Sequence, residues 1–308
     1  MPNFLKLRKI IKKAPAVTKV LRYAAAFLRA RVYRKATVYL SSKYKHLAEK
    51  YNNPANLPTE TERKLFASEP YPVWVLWLQG EENMPEPVKM CYDSMLKNAG
   101  GHKVNLITKD NYAEFVDIPD YISEKYRKGI ISHNHFSDIM RVCLLSKFGG
   151  LWADATIYVS EKLPSFDAFS FWTGKWTDGC DYAKERKWTS FLLYCLPNSP
   201  FACFIRECFF KYYGEHDKTV SYFIVDIFIS MAYNEISAVK DSMDSVPATR
   251  RGMSDLYAMM NSEYNEKEYE ALRKEICFHK LSYKDDFRKR AKDGKLTFYG
   301  HLMQDSQN

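Results

Sequence analysis

Between residues 70 and 200 the spacing of apolar positions changes period repeatedly, outlining alternating strands and helices. Val73 to Leu78 reads VWVLWL, apolar throughout and bounded by Pro72 and Gln79-Gly80, which predicts a strand buried on both faces. Pro87 to Lys97 predicts a helix opening on proline and Lys103 to Thr108 the next strand, together one βαβ unit. Two short helical patterns flank Asp117-Ile118-Pro119, where the proline forces a break. From Ser137, a candidate N-cap, Ile139, Val142, Cys143 and Leu145 recur at helical spacing. Gly149-Gly150 then tolerates the left-handed backbone that ends a helix. Leu151 to Val159 alternates like a strand, with Leu151, Ala153, Ala155, Ile157 and Val159 on one side and Trp152, Asp154, Thr156 and Tyr158 on the other.

Downstream, Phe169 to Thr173 and Phe191 to Leu196 predict short strands. Ser199-Pro200 opens a helix whose apolar face is Phe201, Phe204, Ile205, Cys208, Phe209 and Tyr212, ending at Gly214. Trp172 to Trp188 has no period and is expected to be a binding loop on the acceptor side. Residues 240–275 are polar and helical in pattern. At the other end, Val17, Val20, Leu21, Ala24, Phe27 and Leu28 mark an apolar stripe on a basic helix. Asn52-Asn53-Pro54 and Leu57-Pro58-Thr59 then read as a linker. The expected division is a basic amphipathic helical segment over 1–58 and one large domain over 59–308.

Charge sharpens that division. Residues 1–50 hold fourteen Lys and Arg and one acid, Glu49, a net of +13; the rest carry 32 basic and 36 acidic side chains. The basic segment suits two readings, a helix drawn to an anionic membrane surface or a helical hairpin packed on the body with a solvated basic face. A net-acidic body and the lack of a recognisable nucleic-acid module argue against nucleic acid as a partner. The seven cysteines form no Cys-x-x-Cys pair and sit mostly in apolar runs, as buried thiols of a reducing compartment do. No apolar run reaches about eighteen residues and no secretory signal is present, so the expected place is the cytoplasm.

Candidate chemistry gathers around the predicted 137–159 helix and strand. Asp138 and Arg141, three apart, share a helix face; on an exposed surface such a pair contributes only ~0.3 kcal/mol, but here Asp154 and Thr156 follow closely. Asp226 interrupts the apolar run Tyr222 to Ile229, so it either pairs with a cation or hydroxyl or faces a cleft, because burying a lone carboxylate is costly. Trp77 and Gln79 lie at the carboxyl end of the first strand, where open α/β sheets bind ligands; for Trp77 ordinary core packing is an equal reading. His133 and His135, two apart, have no further Cys or His near them in sequence and read as loop or surface residues.

The order Ser-Asp-x-x-Arg, leucine-containing helix, Gly-Gly, aromatic and Asp-x-Asp-like triplet resembles the donor-site signature of family 32-type sugar transferases with a GT-A fold. Asp-Ala-Thr at 154–156, the strand Pro72–Gly80 with its Gln-Gly-Glu-Glu continuation, and HKLSYK at 279–284 resemble the capsular polysaccharide synthesis branch. The similarity spans roughly Tyr71 to Leu163 and returns near His279. It implies an α/β fold, a GT-A-like (Rossmann-like) mixed sheet flanked by helices behind the N-terminal basic segment. It also implies transfer of a sugar from a nucleotide-sugar donor, a UDP-sugar first, to a growing capsular or other surface polysaccharide, with retention. The alternative is an inactive membrane-associated scaffold of a polysaccharide assembly system.

By the same resemblance Trp77 and Gln79 meet the base, Asp138 the sugar or ribose hydroxyls, Arg141 the sugar or its phosphate, and Asp154 a metal or the ribose. Asp138, Asp154 and Asp226 are the catalytic candidates. Lys280 and Lys284 are candidates for the diphosphate, with His279 and His301 as late phosphate contacts or, for His301, a metal ligand beside Asp154. A divalent cofactor, Mn²⁺ or Mg²⁺, is implied, but Thr156 stands where the second acid of Asp-x-Asp would be. Metal binding is then weaker, or another residue completes the shell, or Lys280 and Lys284 share its task. The implied partners are the donor, a glycan or lipid-linked glycan acceptor, and the inner face of the membrane through residues 1–50.

Overall fold

The computed structural model describes residues 15–53, 55, 57–68, 70–175, 188–247 and 252–306. Helix α1 (Pro15–Tyr44) runs into a 3₁₀ turn (Lys45–Asn52), and α2 (Glu60–Ser68) leads to β1 (Val73–Leu76). Next come α3 (Glu86–Lys97), β2 (Val104–Ile107), α4 (Tyr112–Phe115) and α5 (Asp120–Arg127). The central helix α6 (His133–Phe148) is followed by β3 (Gly150–Ala153), β4 (Ile157–Val159), β5 (Phe171–Thr173) and β6 (Leu192–Cys195). Helices α7 (Pro200–Glu215), α8 (Ile224–Glu235), α9 (Ser237–Ser245), α10 (Asp255–Met259) and α11 (Glu266–Arg273) precede β7 (Phe278–Lys280) and α12 (Phe298–Asp305).

Five strands form one sheet in the order β2-β1-β3-β6-β5. The first three run parallel, with Val73 opposite both Val104 and Leu151, and β6 runs antiparallel between β3 and β5. This is the mixed α/β sheet flanked by helices expected from the chain. The period-two alternation sorts side chains onto two faces. Trp74, Trp152, Leu193 and Cys195 pack against α6, α7 and α8, while Val73, Val75, Leu151, Ala153, Leu192 and Tyr194 pack with Val88 and Met95 of α3. A third cluster joins Leu256, Leu272, Phe298 and Leu302 of the C-terminal helices to Met90 and Tyr158.

Two expectations around the central helix change. Ser132, not Ser137, caps α6, its hydroxyl accepting from His135 N, so Ser137 lies a turn inside. The expected strand Leu151 to Val159 is two strands in two sheets. Ile157 N donates to Asp154 O at 2.8 Å, closing a tight turn, and β4 leaves to pair with β7. Asp154 and Thr156 therefore project from a turn and not from one strand face; the alternation alone did not register it because Ala155, at 9% exposure, keeps the apolar rhythm going. Tyr222 to Ile229 is largely the start of α8, its apolar run being a buried helix face.

Gly149 and Gly150 do what glycine is needed for. Gly149 ends α6 at φ 63°, its N–H bonded to Leu145 O, and Gly150 enters β3 at φ 91°. A Cβ on Gly150 would stand 2.1 Å from Pro72 O, so no side chain fits where β3 closes against the chain entering β1.

The basic segment is anchored to the body along its second half. Ala36, Leu40, Tyr44, Leu47 and Ala48 are buried in the largest core cluster. Tyr44 Oη donates to Glu215 at 3.0 Å, Tyr51 Oη donates to Glu207 at 3.0 Å, and Lys50 pairs with Glu207 at 2.7 Å. The stripe Val17 to Leu28 belongs to α1, but its side chains lie outside the described residues. Among the described residues no helix is long and apolar enough to cross a membrane. Six cysteines are free, with Cys91, Cys143, Cys195 and Cys208 buried; Cys180 lies outside the described residues, as does most of the expected acceptor loop. If the arm is part of the core, Leu40→Ala should lower unfolding stability by about 2–4 kcal/mol. Val38→Ala, at a position 67% exposed, should change it by less than about 0.5 kcal/mol, both read from urea midpoints.

Candidate active site

The carboxyl ends of β1 and β3, which run the same way, leave the sheet side by side, and the chain entering β6 joins them from the opposite direction. A cavity of about 540 Å³ opens there, lined by Trp77, Gln79, Asp138, Arg141, Asp154, Thr156, Asp226, Lys280 and Lys284 among others. This is where open α/β sheets place ligands. A second cavity of the same volume, between the 3₁₀ turn, α6 and α7, is lined by Lys50, Lys147, Arg206 and Lys211 with Asp117 and Glu207, and holds none of the expected site residues.

Arg141 organises the acids. Its side chain is 5% exposed, and its guanidinium lies 3.2 Å from Asp138 Oδ1 one helical turn back and 3.2 Å from Asp154 Oδ1 on the turn after β3. It also donates to Ser190 O and stacks over the Trp152 ring at 4.9 Å. Trp152 Nε1 donates to the same Asp154 oxygen at 3.0 Å. The Asp138–Arg141 pair is therefore a buried bridge between helix and turn, not an exposed i,i+3 ion pair. Engaged on several sides, Arg141 positions the acids more than it reaches a ligand.

Lys280 holds the other side of Asp154. Its Nζ donates to Asp154 Oδ2 at 3.0 Å and to Thr156 Oγ1 at 2.6 Å, and sits 4.9 Å over the Phe191 ring. The backbone puts it there. Strand β7 pairs with β4 so that Lys280 stands opposite Ile157, and Leu281 N donates to Thr156 O at 2.9 Å. Because strand neighbours point to opposite sides, His279 turns inward instead. It is fully buried, bonded through Nε2 to Ser160 Oγ at 2.8 Å, and burial pushes it down to about 3, so it is neutral and away from the cleft.

The three acids differ. Burial pushes Asp138 up to about 7, helped by the nearby charges of Asp226 and Asp154 and opposed by Arg141. Burial also acts to raise Asp154, but the charges of Lys280 and Arg141 and the hydrogen bonds from Lys280 and Trp152 outweigh it and hold it below the usual carboxylate range. Asp226, 3% exposed in the first turn of α8, also lines the cavity. One acid is thus held ionised and another is poised to carry a proton near neutral pH.

At the mouth, Trp77 meets Tyr283 edge-to-face with ring centroids 5.6 Å apart, and its Nε1 donates to Asn83 O. Trp77 is partly buried: it packs against the core cluster behind β1 and also lines the cavity, so both readings hold in part. Gln79 and Lys284 are exposed on the same rim. Tyr222, 62% exposed, accepts from Asn134 Nδ2 at 2.9 Å on the rim beyond Asp138. Tyr222 and Tyr283 are cavity residues that the sequence does not single out, and Trp152 enters there only as the aromatic of the motif. Tyr283 was within reach, since it lies inside HKLSYK between the two lysines; Tyr222 carried no signal beyond an aromatic at the edge of an apolar run.

For a divalent ion the donors present do not fit. Mg²⁺ or Mn²⁺ needs about six oxygens at close range. Both oxygens of Asp154 already accept from cations, and Thr156 accepts from Lys280. Among the described residues no three His, Cys, Asp or Glu side chains converge on a metal position. A dication beside Asp154 would also face Lys280 and Arg141, and even two unit charges 4 Å apart repel by about 4 kcal/mol at an effective dielectric near 20. His301 is not brought to the site. It stacks on Tyr264 at 3.6 Å within the C-terminal cluster, because the α12 helix packs against α11 and not over the cleft. His133 and His135 are likewise engaged locally, His133 with Tyr126 Oη and His135 with Ser132 and Tyr222 O.

A family model for capsular polysaccharide synthesis proteins matches residues 22–302, which takes in the cleft and the docked part of α1. The chain belongs to that family. No curated protein matches it. Among solved structures, one described as PaToxG Glycosyltransferase is similar over 64% of this chain and 82% of its own, at 18% identity and a TM-score of 0.38, too loose a likeness to build on. In this capsular polysaccharide synthesis protein, then, the roles of the cleft residues rest on their own geometry.

The unlike titration of the acids gives a measurable consequence. Between about pH 4 and 7 the folded protein keeps a proton on Asp138 that the unfolded chain releases, so stability falls as pH rises through that window. Asp154 acts oppositely, adding stability that is present above pH 4 and lost as pH falls below it. Asp138→Asn should flatten the decline between pH 4.5 and 7.5 in urea midpoints while leaving the acid limb; an unchanged decline would mean Asp138 ionises normally.

Proposed function

We propose that this protein is a glycosyltransferase that moves a sugar from a nucleotide-sugar donor to a growing capsular or other surface polysaccharide, with retention. The observation that carries the reading is the cleft itself: cations, hydroxyl and acids of unlike charge state converge at the carboxyl ends of β1 and β3. Breaking the anomeric C–O bond builds negative charge on the diphosphate and positive charge on the sugar ring. Lys280 and Lys284 lie on the side suited to the diphosphate, with the base against Trp77 and Tyr283. Asp138 binds sugar hydroxyls, and the Asp226 carboxylate faces the ring carbon that gains positive charge. The acceptor oxygen bonds to the anomeric carbon as the bond to phosphate breaks, and its proton passes to the departing phosphate oxygen.

The family relationship supports a glycan acceptor, and the arm supports a place at the inner membrane face. Exposed Arg31, Arg34 and Lys35 lie on α1 beside exposed Val32 and Val38, where each cation contributes about 1 kcal/mol near an anionic surface.

Purified protein given a panel of UDP-, GDP- and CMP-sugars with a membrane glycolipid extract should consume one donor. Asp154→Ala should lower that turnover by about 100-fold or more. If no donor is consumed and none binds by calorimetry, the transferase reading fails and an inactive scaffold takes its place. Charge reversal at Arg31, Arg34 and Lys35 together should weaken co-sedimentation with vesicles rich in phosphatidylglycerol, leaving turnover of a soluble acceptor intact.

A further inference from the structure

We infer that Lys280 takes the place of the divalent ion, so that the donor's diphosphate is bound by an ammonium held between Asp154 and Thr156 and binding needs no metal. The inference rests on the donor reading above and concerns how the same cleft handles phosphate.

Three observations carry it. The Lys280 ammonium lies between the first and third residues of the Asp-Ala-Thr triplet, 3.0 Å from the carboxylate of Asp154 and 2.6 Å from the hydroxyl of Thr156. Its place is set by backbone pairing and not by a flexible reach, since β7 is in register with β4 and Lys280 N donates to Met253 O at 2.8 Å. The chemistry at position 156 matches: beside the neutral Thr156 hydroxyl the Lys280–Asp154 pair carries no net charge, whereas a second carboxylate there would make it net negative and repel a diphosphate.

The hydrogen-bond inventory leaves donors for a ligand. An ammonium has three N–H groups, and two go to Asp154 and Thr156. Thr156 accepts from Lys280 and keeps its own O–H to donate. Lys284, four residues on and exposed at the rim of the same cavity, adds a second cation for the outer phosphate. Asp154 then serves as the counter-charge that orients Lys280, with Arg141 and Trp152 holding its other oxygen.

The test uses UDP and GDP as probes of diphosphate binding and Mn²⁺ alone as a probe of the metal. Wild-type protein should bind one of the nucleotides by calorimetry equally well, within about threefold, in EDTA and in Mn²⁺. It should leave the paramagnetic resonance signal of free Mn²⁺ undiminished. Lys280→Ala should weaken nucleotide binding by about tenfold or more, and Lys280→Arg should recover most of it. Lys280→Ala combined with Thr156→Asp should gain Mn²⁺ binding and make nucleotide binding depend on it. Stoichiometric Mn²⁺ binding by the wild type that Asp154→Asn removes, or nucleotide binding seen only with Mn²⁺, overturns the inference and leaves the donor reading standing. Failure of UDP and GDP to bind in either buffer overturns the inference, and failure of every sugar nucleotide of the donor panel to bind as well overturns the donor reading with it. These wild-type arms decide the matter even if a variant does not fold.

Discussion

A guanidinium buried at 5% exposure between two carboxylates is the constraint around which this cleft is built. Leaving Arg141 without its acids would strand a charge in a poorly hydrated place, which costs several kcal/mol. The helix α6 and the turn after β3 are therefore locked in one relation. That relation brings Asp138, Asp154 and Thr156 to one wall and leaves their outer edges for a ligand. Lys280 completes the set from the far end of the chain, closing a charge network whose members come from residues 138 to 280.

The glycine pair makes that lock possible. Helix α6 must end and the chain must turn immediately into a strand packed against Pro72, and only backbone without a Cβ passes there. Strand β3 then lasts four residues before the Asp154 turn sends β4 into a different sheet, where it can meet β7. Had the strand run straight through to Val159, Thr156 would lie along the sheet and β7 would have no partner to carry Lys280 to the site. The short strand and tight turn are thus part of the chemistry.

Much of this was legible beforehand. The buried strand at Val73, the βαβ unit, the Asp138–Arg141 pairing and the glycine stop follow from local spacing, and the structure keeps them with ends moved by a residue or two. The helix starts before the expected cap: Ser132 accepts from His135 N, and the extra turn buries His135 and Phe136. His301 looked as suitable as Lys280, since both follow from residue type in the C-terminal segment. What separates them is pairing: Lys280 is on a strand registered with β4, and His301 is on a helix stacked against Tyr264.

By itself the sequence determined the fold class, the βαβ unit from Val73 to Ile107 and the inventory of the cleft's first wall, because these depend on periodicity and on residues within about twenty positions of one another. Tertiary structure alone decided which distant side chain neutralises Asp154, that the basic arm is bound into the core from Ala36 onward, and that the acids differ in charge state. Those outcomes depend on burial and on separations of a few ångströms between groups more than a hundred residues apart. Such distances are set by strand register and helix packing and leave no local trace in composition or spacing.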